Sequence, residues 1–276
     1  MGEHGRLHLL RLSVGASQVN VTYDPVDRHP KVAQLPYLIH SHSGYEVHLC
    51  PEGHGGWEFL VGRDRLDVHP DQAVIIAPGV YHTAPFHKPA WRTFRYYPER
   101  GPLADRLRIA PPCRVLDRAA CAGLLELCRE EALQQRPGGR EKLEALFKAV
   151  LIDLLRELDA GADWDGPEPP LEAAVLLDDY FPLQHHQKYS KAELAAKLGV
   201  SERQLERTLH SVYGMSFHEK VRETRFETAR ILLNYYGCPI KEVSEFLGYD
   251  CQSSFFRAYK KYFGCTPAAS KGDRSD

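Results

Sequence analysis

Residues 190–219 read SKAELAAKLGVSERQLERTLHSVYGMSFHE, a stretch whose serines predict the starts of three helices. Each serine is followed three residues later by an acid or an amide: Ser190 and Glu193, Ser201 and Gln204, Ser216 and Glu219. Such pairs cap helices because the serine oxygen accepts the backbone N–H of the later residue, whose side chain returns the bond. Gly199 separates the first two starts. The stretch therefore predicts a short helix, a turn and a second helix over 202–213, which is a helix-turn-helix.

A second unit of the same kind follows further along the chain. Residues 240–247 (IKEVSEFL) have the pattern of a short amphipathic helix, Gly248 predicts a turn, and residues 252–263 predict the next helix. Apolar residues from Phe217 to Leu233 predict one long helix between the two units. Two units joined in this way favour a DNA-binding domain more strongly than either does alone.

The region from 171 to 268 resembles the AraC-type transcription regulators. The most specific part runs from Ile240 to Pro267, and residues 225–233 (RFETARILL) match the central helix of that family. Tyr249, Tyr259 and His210 depart from its usual residues. The resemblance implies that the second helix of each unit enters the major groove of double-stranded DNA.

The resemblance also assigns DNA-contacting residues. Base edges would face Arg203, Glu206 and Arg207 in the first unit, and Gln252, Ser253, Ser254 and Arg257 in the second. Arginine can bind guanine, glutamine adenine, and glutamate can accept from cytosine. Phosphates would be contacted by Ser201, Lys260 and Lys261.

Overall charge gives no support for nucleic-acid binding. The chain carries 35 Lys and Arg against 37 Asp and Glu, a net charge of −2. Affinity for DNA must therefore depend on where the charges lie rather than on their sum.

Residues 6–98 have a different pattern, with short apolar or alternating runs between glycine and proline turns. The predicted strands are Arg6–Leu12, Gln18–Tyr23, Tyr45–Cys50, Trp57–Val61, Arg65–Val68, Ala73–Ala77 and Thr93–Tyr97. Many short strands of this kind predict a β-sandwich or β-barrel.

Two stretches of this region resemble the motifs of cupin barrels: His40-Ser-His42 with Glu46 and Gly53, and Pro78-Gly79 with His82. Gln34 and Asp71 stand where glycines are usual. In a metal-binding cupin the matching residues, His40, His42, Glu46 and His82, would hold a divalent ion. Residues 40, 42 and 46 share one strand face by parity. This set suits Zn, Ni, Mn or Fe; alternatively, the histidines line a polar pocket without metal.

AraC-type regulators often use such a barrel to sense an effector. A small polar effector, for example a sugar, would suit Tyr37, Trp57 and Arg63 together with the His40, His42, Glu46 and His82 set. Each aromatic residue is also compatible with a place in the barrel core.

Helical periodicity returns at residues 117–160. An apolar stripe from Leu143 to Leu158 and a shorter partner over 119–133 predict a helical hairpin, which packs on the barrel and is also expected to form a homodimer. Residues 161–170 have the composition of a linker. The expected fold is α+β multidomain: a cupin-like barrel (1–110), the hairpin (111–160), the linker (161–170) and an all-α domain with two helix-turn-helix units (171–270). The residues after about 264 are expected to fray.

The expected cellular compartment is inferred from motifs that the sequence lacks. The seven cysteines form no Cys-x-x-Cys pair, no apolar run approaches the length of a membrane span, and the first residues do not resemble a secretion signal. We therefore expect a cytoplasmic protein that does not associate with membranes.

The leading interpretation is a non-enzymatic, effector-responsive transcription regulator that binds double-stranded DNA, and RNA polymerase if it activates. Two alternatives remain open at this stage. One is a metal-dependent cupin enzyme, such as a dioxygenase or isomerase, fused to a DNA-binding domain. The other is a barrel that serves only to dimerise.

Overall fold

The computed structural model describes residues 7–25, 37–50, 56–85, 92–117, 120–134, 136–158, 174, 177–178, 180–181 and 190–271. For residues 37, 38, 84, 85 and 271 it describes the backbone only. The expected linker, 161–170, lies outside these residues.

Two antiparallel sheets form the N-terminal domain. Their strands are β1 His8–Val14, β2 Ser17–Tyr23, β3 Tyr37–His40, β4 Tyr45–Leu49, β5 Trp57–Val61, β6 Asp64–Val68, β7 Ala73–Ile76, β8 His82–Pro85, β9 Arg92–Arg100 and β10 Cys113–Leu116. One sheet has the order β1-β2-β9-β4-β7-β10 and the other β3-β8-β5-β6. All seven predicted strands are present. Sequence analysis missed β3, β8 and β10, which have only four residues each and no clear alternation.

Alternation explains which face of each outer strand is buried. On β1, Leu10, Leu12 and Val14 are buried while Arg11 and Ser13 are exposed. The buried side chains join one core with the helical hairpin, which consists of α2 (Ala122–Gln134) and α3 (Gly139–Glu157) and follows the short helix α1 (Pro102–Arg106).

The apolar stripe of α3 packs on its own barrel. The Phe147 ring lies 5.1 Å from the ring of Tyr23 and 5.4 Å from that of Phe94. Leu143, Val150, Leu151 and Leu154 are also fully buried in this core. Large apolar side chains remain exposed on α2, where Leu127 is 47% and Leu133 40% exposed. The α3 stripe is therefore occupied within one chain, whereas α2 keeps apolar side chains on its surface.

Helices make up the C-terminal domain. They are α4 Lys191–Lys197, α5 Glu202–Tyr213, α6 Phe217–Asn234, α7 Ile240–Phe246, α8 Gln252–Phe263 and α9 Pro267–Lys271. All three predicted capping boxes are present at Ser190, Ser201 and Ser216. The bounds of α5 and α8 agree with the prediction.

The expectation of frayed residues after 264 is wrong for α9. Tyr259 and Asn234 donate hydrogen bonds to the Ser270 hydroxyl at 2.8 and 3.2 Å, so these contacts hold the short helix against α6 and α8.

The two domains contact each other through the smaller sheet. Ile39, Leu60 and Tyr81 belong to the same apolar cluster as residues of α6, α7 and α8. The contact is therefore apolar at its centre, with polar contacts around it.

Candidate histidine site and DNA-binding surface

Four imidazoles surround the carboxylate of Glu46 between the two sheets. Its Oε2 atom lies 2.9 Å from Nε2 of His82, 3.0 Å from Nε2 of both His42 and His48, and 3.5 Å from Nε2 of His40. None of these five side chains is more than 3% exposed. We call His40, His42, Glu46, His48 and His82 the histidine site.

The strands explain how the histidine site forms. Glu46 and His48 are two residues apart on β4 and therefore point to the same face of the sheet. His40 pairs with His82 across the β3–β8 ladder. Potential ligand atoms of His40, His42, Glu46 and His82 all lie within 4.8 Å of one another. The structure therefore brings together the four residues that the cupin-like motifs contain.

Sequence analysis missed two participants, His48 and Arg95. The expectation that residues 40, 42 and 46 share one strand face is wrong, because His40 lies on β3 and Glu46 on β4 of the other sheet. Alternation within β4 does place His48 on the face of Glu46, so this signal was present. Arg95 comes from the neighbouring strand β9, where it pairs directly with Glu46, and its Nε donates to Oε1 at 2.9 Å. No spacing within the motifs indicates that partner.

Burial dominates the electrostatics of the site. It lowers the pKa of His40 well below its usual value and that of His82 to about 4. Burial alone would raise the pKa of Glu46, but the positive charges of His42, Arg95 and His48 bring it well below the usual value. At pH 7 the site therefore combines the Glu46 carboxylate with neutral rings at His40 and His82.

Hydrogen bonds at the far side of two rings determine which nitrogen faces the centre. Nδ1–H of His42 donates to the carbonyl of Gly44 at 2.7 Å, and Nδ1–H of His82 donates to that of Val80 at 3.0 Å. Because the low pKa of His82 keeps its ring neutral at pH 7, its Nε2 carries a lone pair directed at the Glu46 carboxylate. The lone pair of this imidazole nitrogen and those of the carboxylate oxygen repel one another unless a cation lies between the two atoms. The residues thus fit a divalent metal held by Glu46 and imidazole nitrogen.

Trp57 and Arg63, which were also proposed for the effector, are not part of this cluster. Trp57 is 6% exposed and packs in an apolar cluster with Phe59 and Val68. Arg63 is exposed on the turn between β5 and β6. The Tyr37 side chain lies outside the described residues. Tyr81 donates to Thr224 at 3.0 Å and so contacts the C-terminal domain.

On α5 and α8, most of the predicted DNA contacts lie on the surface. The exposed residues are Ser201, Arg203, Arg207, Gln252, Ser253, Arg257, Lys260 and Lys261, and Ser254 is half-buried. Arg203, Arg207 and Gln252 have no hydrogen bond or ion pair within the described part of the chain. The Ser201 hydroxyl is occupied in its capping box, donating to Gln204 Oε1 at 2.9 Å.

Glu206 differs from the other predicted base contacts. Its Oε2 accepts the backbone N–H of Phe217 at 3.2 Å, and its Oε1 lies 3.3 Å from Nζ of Lys191. The carboxylate thus joins α4, α5 and the start of α6. This position supports a role in the domain's own structure, which sequence analysis did not anticipate.

Two family matches cover the two domains. Residues 36–151 match the AraC-like ligand binding domain, and residues 194–271 match a helix-turn-helix domain. The first match continues into the hairpin and ends within α3, whose apolar side chains share a core with the barrel.

Relatives among curated proteins are named as transcriptional regulators. The chain is 32% identical over 96 residues to an uncharacterised HTH-type transcriptional regulator of Staphylococcus aureus (strain COL), covering 35% of this chain and 13% of that protein. It is 29% identical over 93 residues to LumQ of Photobacterium leiognathi, a probable transcriptional regulator, covering 34% and 38%. The matches thus span less than half the length of either relative.

Solved structures include similar chains. The C-terminal domain of AraT, a response regulator from Geobacillus stearothermophilus, is 28% identical with a TM-score of 0.34, covering 37% of this chain and 84% of that one. Apo ToxT from Vibrio cholerae is 11% identical with a TM-score of 0.35, covering 95% and 99%.

The chain is a mixed α+β protein that combines a sheet-rich ligand-binding domain with a helical DNA-binding domain. Its domain composition is that of the AraC-type transcription regulators. Among the described residues, no helix is both long and apolar enough to cross a membrane.

Proposed function

We propose that this protein is a sequence-specific transcription regulator that reads DNA with α5 and α8 and senses a small polar effector in its barrel. The observation that carries the proposal is the pair of helices with exposed Arg203, Arg207, Gln252 and Arg257. Exposed side chains at these positions are available for base edges in two successive major grooves.

We further propose that the histidine site binds a divalent ion, of the class Zn, Ni, Mn or Fe. Convergent imidazole nitrogens favour borderline metals such as Zn and Ni within that class. The ion would supply a positive charge that holds the imidazoles together and attracts an oxygen-rich effector such as a sugar. The site's own residues orient the rings and exclude water.

The enzyme alternative rests on the same metal site. The curated relatives are named as transcriptional regulators, which favours a regulatory ion over a catalytic centre. Homodimerisation through the hairpin and contact with RNA polymerase remain proposals. A cytoplasmic location agrees with seven free cysteines.

DNA binding is tested with the DNA upstream of the protein's own gene at one fixed salt concentration. We expect Arg203→Ala and Arg257→Ala each to lose about 1–3 kcal/mol of discrimination, at different halves of the binding site. Arg156→Ala is the matched control because Arg156 is 74% exposed on α3, away from both units. If the wild type shows no sequence preference on this or genomic DNA, the regulator proposal fails.

Metal binding is tested by chelator competition with Zn²⁺. We expect His48→Gln to weaken zinc binding about 10–100-fold, because it removes an imidazole from the shell around Glu46. His69→Gln is the control, since His69 is exposed outside the cluster. Absence of zinc binding by the wild type would refute the zinc proposal, and normal binding by His48→Gln would exclude His48 from the site.

A further inference from the structure

The segment 41–43 contacts the histidine site and the C-terminal domain at the same time. His42 faces Glu46, whereas its neighbours Ser41 and Ser43 face the other domain. The Ser43 backbone N–H donates to both carboxylate oxygens of Asp178 at 2.9 Å, and its hydroxyl donates at 2.8 Å. Nζ of Lys220 lies 3.4 Å from the Ser41 hydroxyl. Only one peptide bond separates His42, in the histidine site, from Ser43, which binds the second domain.

Asp178 belongs structurally to the first helix-turn-helix unit. Its neighbour Leu177 packs in the apolar cluster that includes Leu194 and Leu205 of α4 and α5. The Tyr213 hydroxyl, at the end of α5, donates to Asp178 at 2.6 Å. Asp178 is fully buried, so its hydrogen bonds are sheltered from competing water.

Lys220 completes the contact at the start of α6. It is only 4% exposed, and its Nζ lies 4.6 Å from the centre of the Tyr213 ring and 2.6 Å from Glu223. We call Ser41, Ser43, Asp178, Tyr213 and Lys220 the latch.

Other polar contacts between the domains involve α6 and its C-terminal end. Tyr81 binds Thr224, Arg230 donates to the Gly62 carbonyl at 3.4 Å, and the Arg65 guanidinium lies 4.6 Å from the centre of the Tyr235 ring. The barrel thus holds the first unit through the latch and the connecting helix through separate contacts. The docking of both determines how α5 and α8 are presented to DNA.

We infer that Asp178 is a positioning residue that ties the first helix-turn-helix unit to the barrel, and that a divalent cation at His40, His42 and His82 tightens this tie. The inference rests on the proposed metal binding. A cation beside His42 attracts the Asp178 carboxylate strongly because both lie in a buried, low-dielectric region. Repulsion of the Lys220 ammonium is offset by Glu223, its neighbour at 2.6 Å.

The Ser43 amide reports on the latch directly, since its hydrogen bond crosses the domain boundary. Hydrogen exchange of this amide is measured in the full-length protein with ZnCl₂ and with EDTA. We expect zinc to slow exchange about tenfold in the wild type, within the usual range of coupling between sites. In Asp178→Asn, exchange is faster and zinc has no effect on it, although zinc still binds. Asp67→Asn, on exposed β6, should behave as the wild type.

Milder variants test the same contact if Asp178→Asn does not fold. Tyr213→Phe and Ser43→Ala each remove one hydroxyl donor to Asp178, and both should reduce the effect of zinc on exchange. Zinc binding without any change in Ser43 exchange would overturn the inference and leave the proposed DNA and metal binding intact. Failure of the wild type to bind zinc would overturn the inference together with the metal proposal, whereas DNA binding is measured independently.

Discussion

Arg95 and Glu46 face each other on neighbouring strands, and the Arg95 Nε donates to Glu46 Oε1 at 2.9 Å. The other carboxylate oxygen faces the four imidazoles. The Glu46 carboxylate therefore binds Arg95 with one oxygen and contacts the imidazoles with the other. Arg95 leaves only one oxygen of Glu46 directed at the imidazoles.

The first prediction concerns this pair. Because Glu46 is 1% exposed, Arg95→Met leaves a buried carboxylate without its guanidinium. We expect the free energy of unfolding in EDTA to fall by about 3 kcal/mol, and zinc to restore part of the loss by supplying positive charge. Denaturant unfolding measures both. Arg156→Met, which removes a surface pair with Asp153, should change stability by less than about 1 kcal/mol. Equal losses in the two variants would contradict this account.

A second prediction distinguishes a stabilising role of Glu206 from a role in recognising a DNA base. Its carboxylate binds the Phe217 amide and Lys191, so Glu206→Ala should lower the free energy of unfolding by about 1–3 kcal/mol. Affinity should then fall to a similar degree for all DNA sequences tested. Glu202→Ala is the control, because Glu202 is 52% exposed and contacts only Lys191 among the described residues. A loss confined to one base pair would instead assign Glu206 to cytosine recognition.

A third prediction follows from the backbone at Asp71, which stands where cupin barrels usually have glycine. Its φ of 69° lies in the left-handed region. A non-glycine residue there is strained by about 1–2 kcal/mol. Glycine in turn lowers stability by about 0.4–1 kcal/mol, because it increases the conformational entropy of the unfolded chain. The relief of strain outweighs the entropy, so Asp71→Gly should raise the melting temperature. Asp67→Gly, within β6, should lower it. Destabilisation by Asp71→Gly would show that the aspartate side chain matters more than the strain.

Cys251 provides the fourth prediction. Hydrogen bonds from Ser253 and Ser254 lower the pKa of its thiol to about 7, whereas burial raises those of Cys121 and Cys128 to about 12. Because the thiolate reacts, alkylation of Cys251 should rise through pH 7 and level off above it. Mass spectrometry of the iodoacetamide-treated protein follows each cysteine separately.

Alkylated Cys251 should also weaken DNA binding, because the residue precedes Gln252 at the start of α8. Cys251→Ser protein, treated in the same way, is the control and should keep its affinity. A rate that still rises steeply above pH 8 would refute the lowered pKa.

Helix bounds could be predicted because they depend on contacts between near neighbours. Each capping box closes within four residues, and the apolar periodicity of α5 and α8 repeats within one helix. The strands β3, β8 and β10 could not be predicted, since they are short and contain polar residues or proline beside their apolar ones, unlike the equally short but wholly apolar β7. Their place in the sheets depends on partners elsewhere in the chain.

The helix-turn-helix units and most of the strands follow from local periodicity along the chain, whereas the grouping of His40, His42, Glu46 and His82 was implied by the resemblance to cupin motifs. The packing of the folded chain was needed to reveal that Arg95 joins Glu46 and that Ser43 binds Asp178. The last contact joins residues 135 positions apart. Contacts between residues so far apart depend on how whole helices and strands pack, which no local sequence pattern specifies.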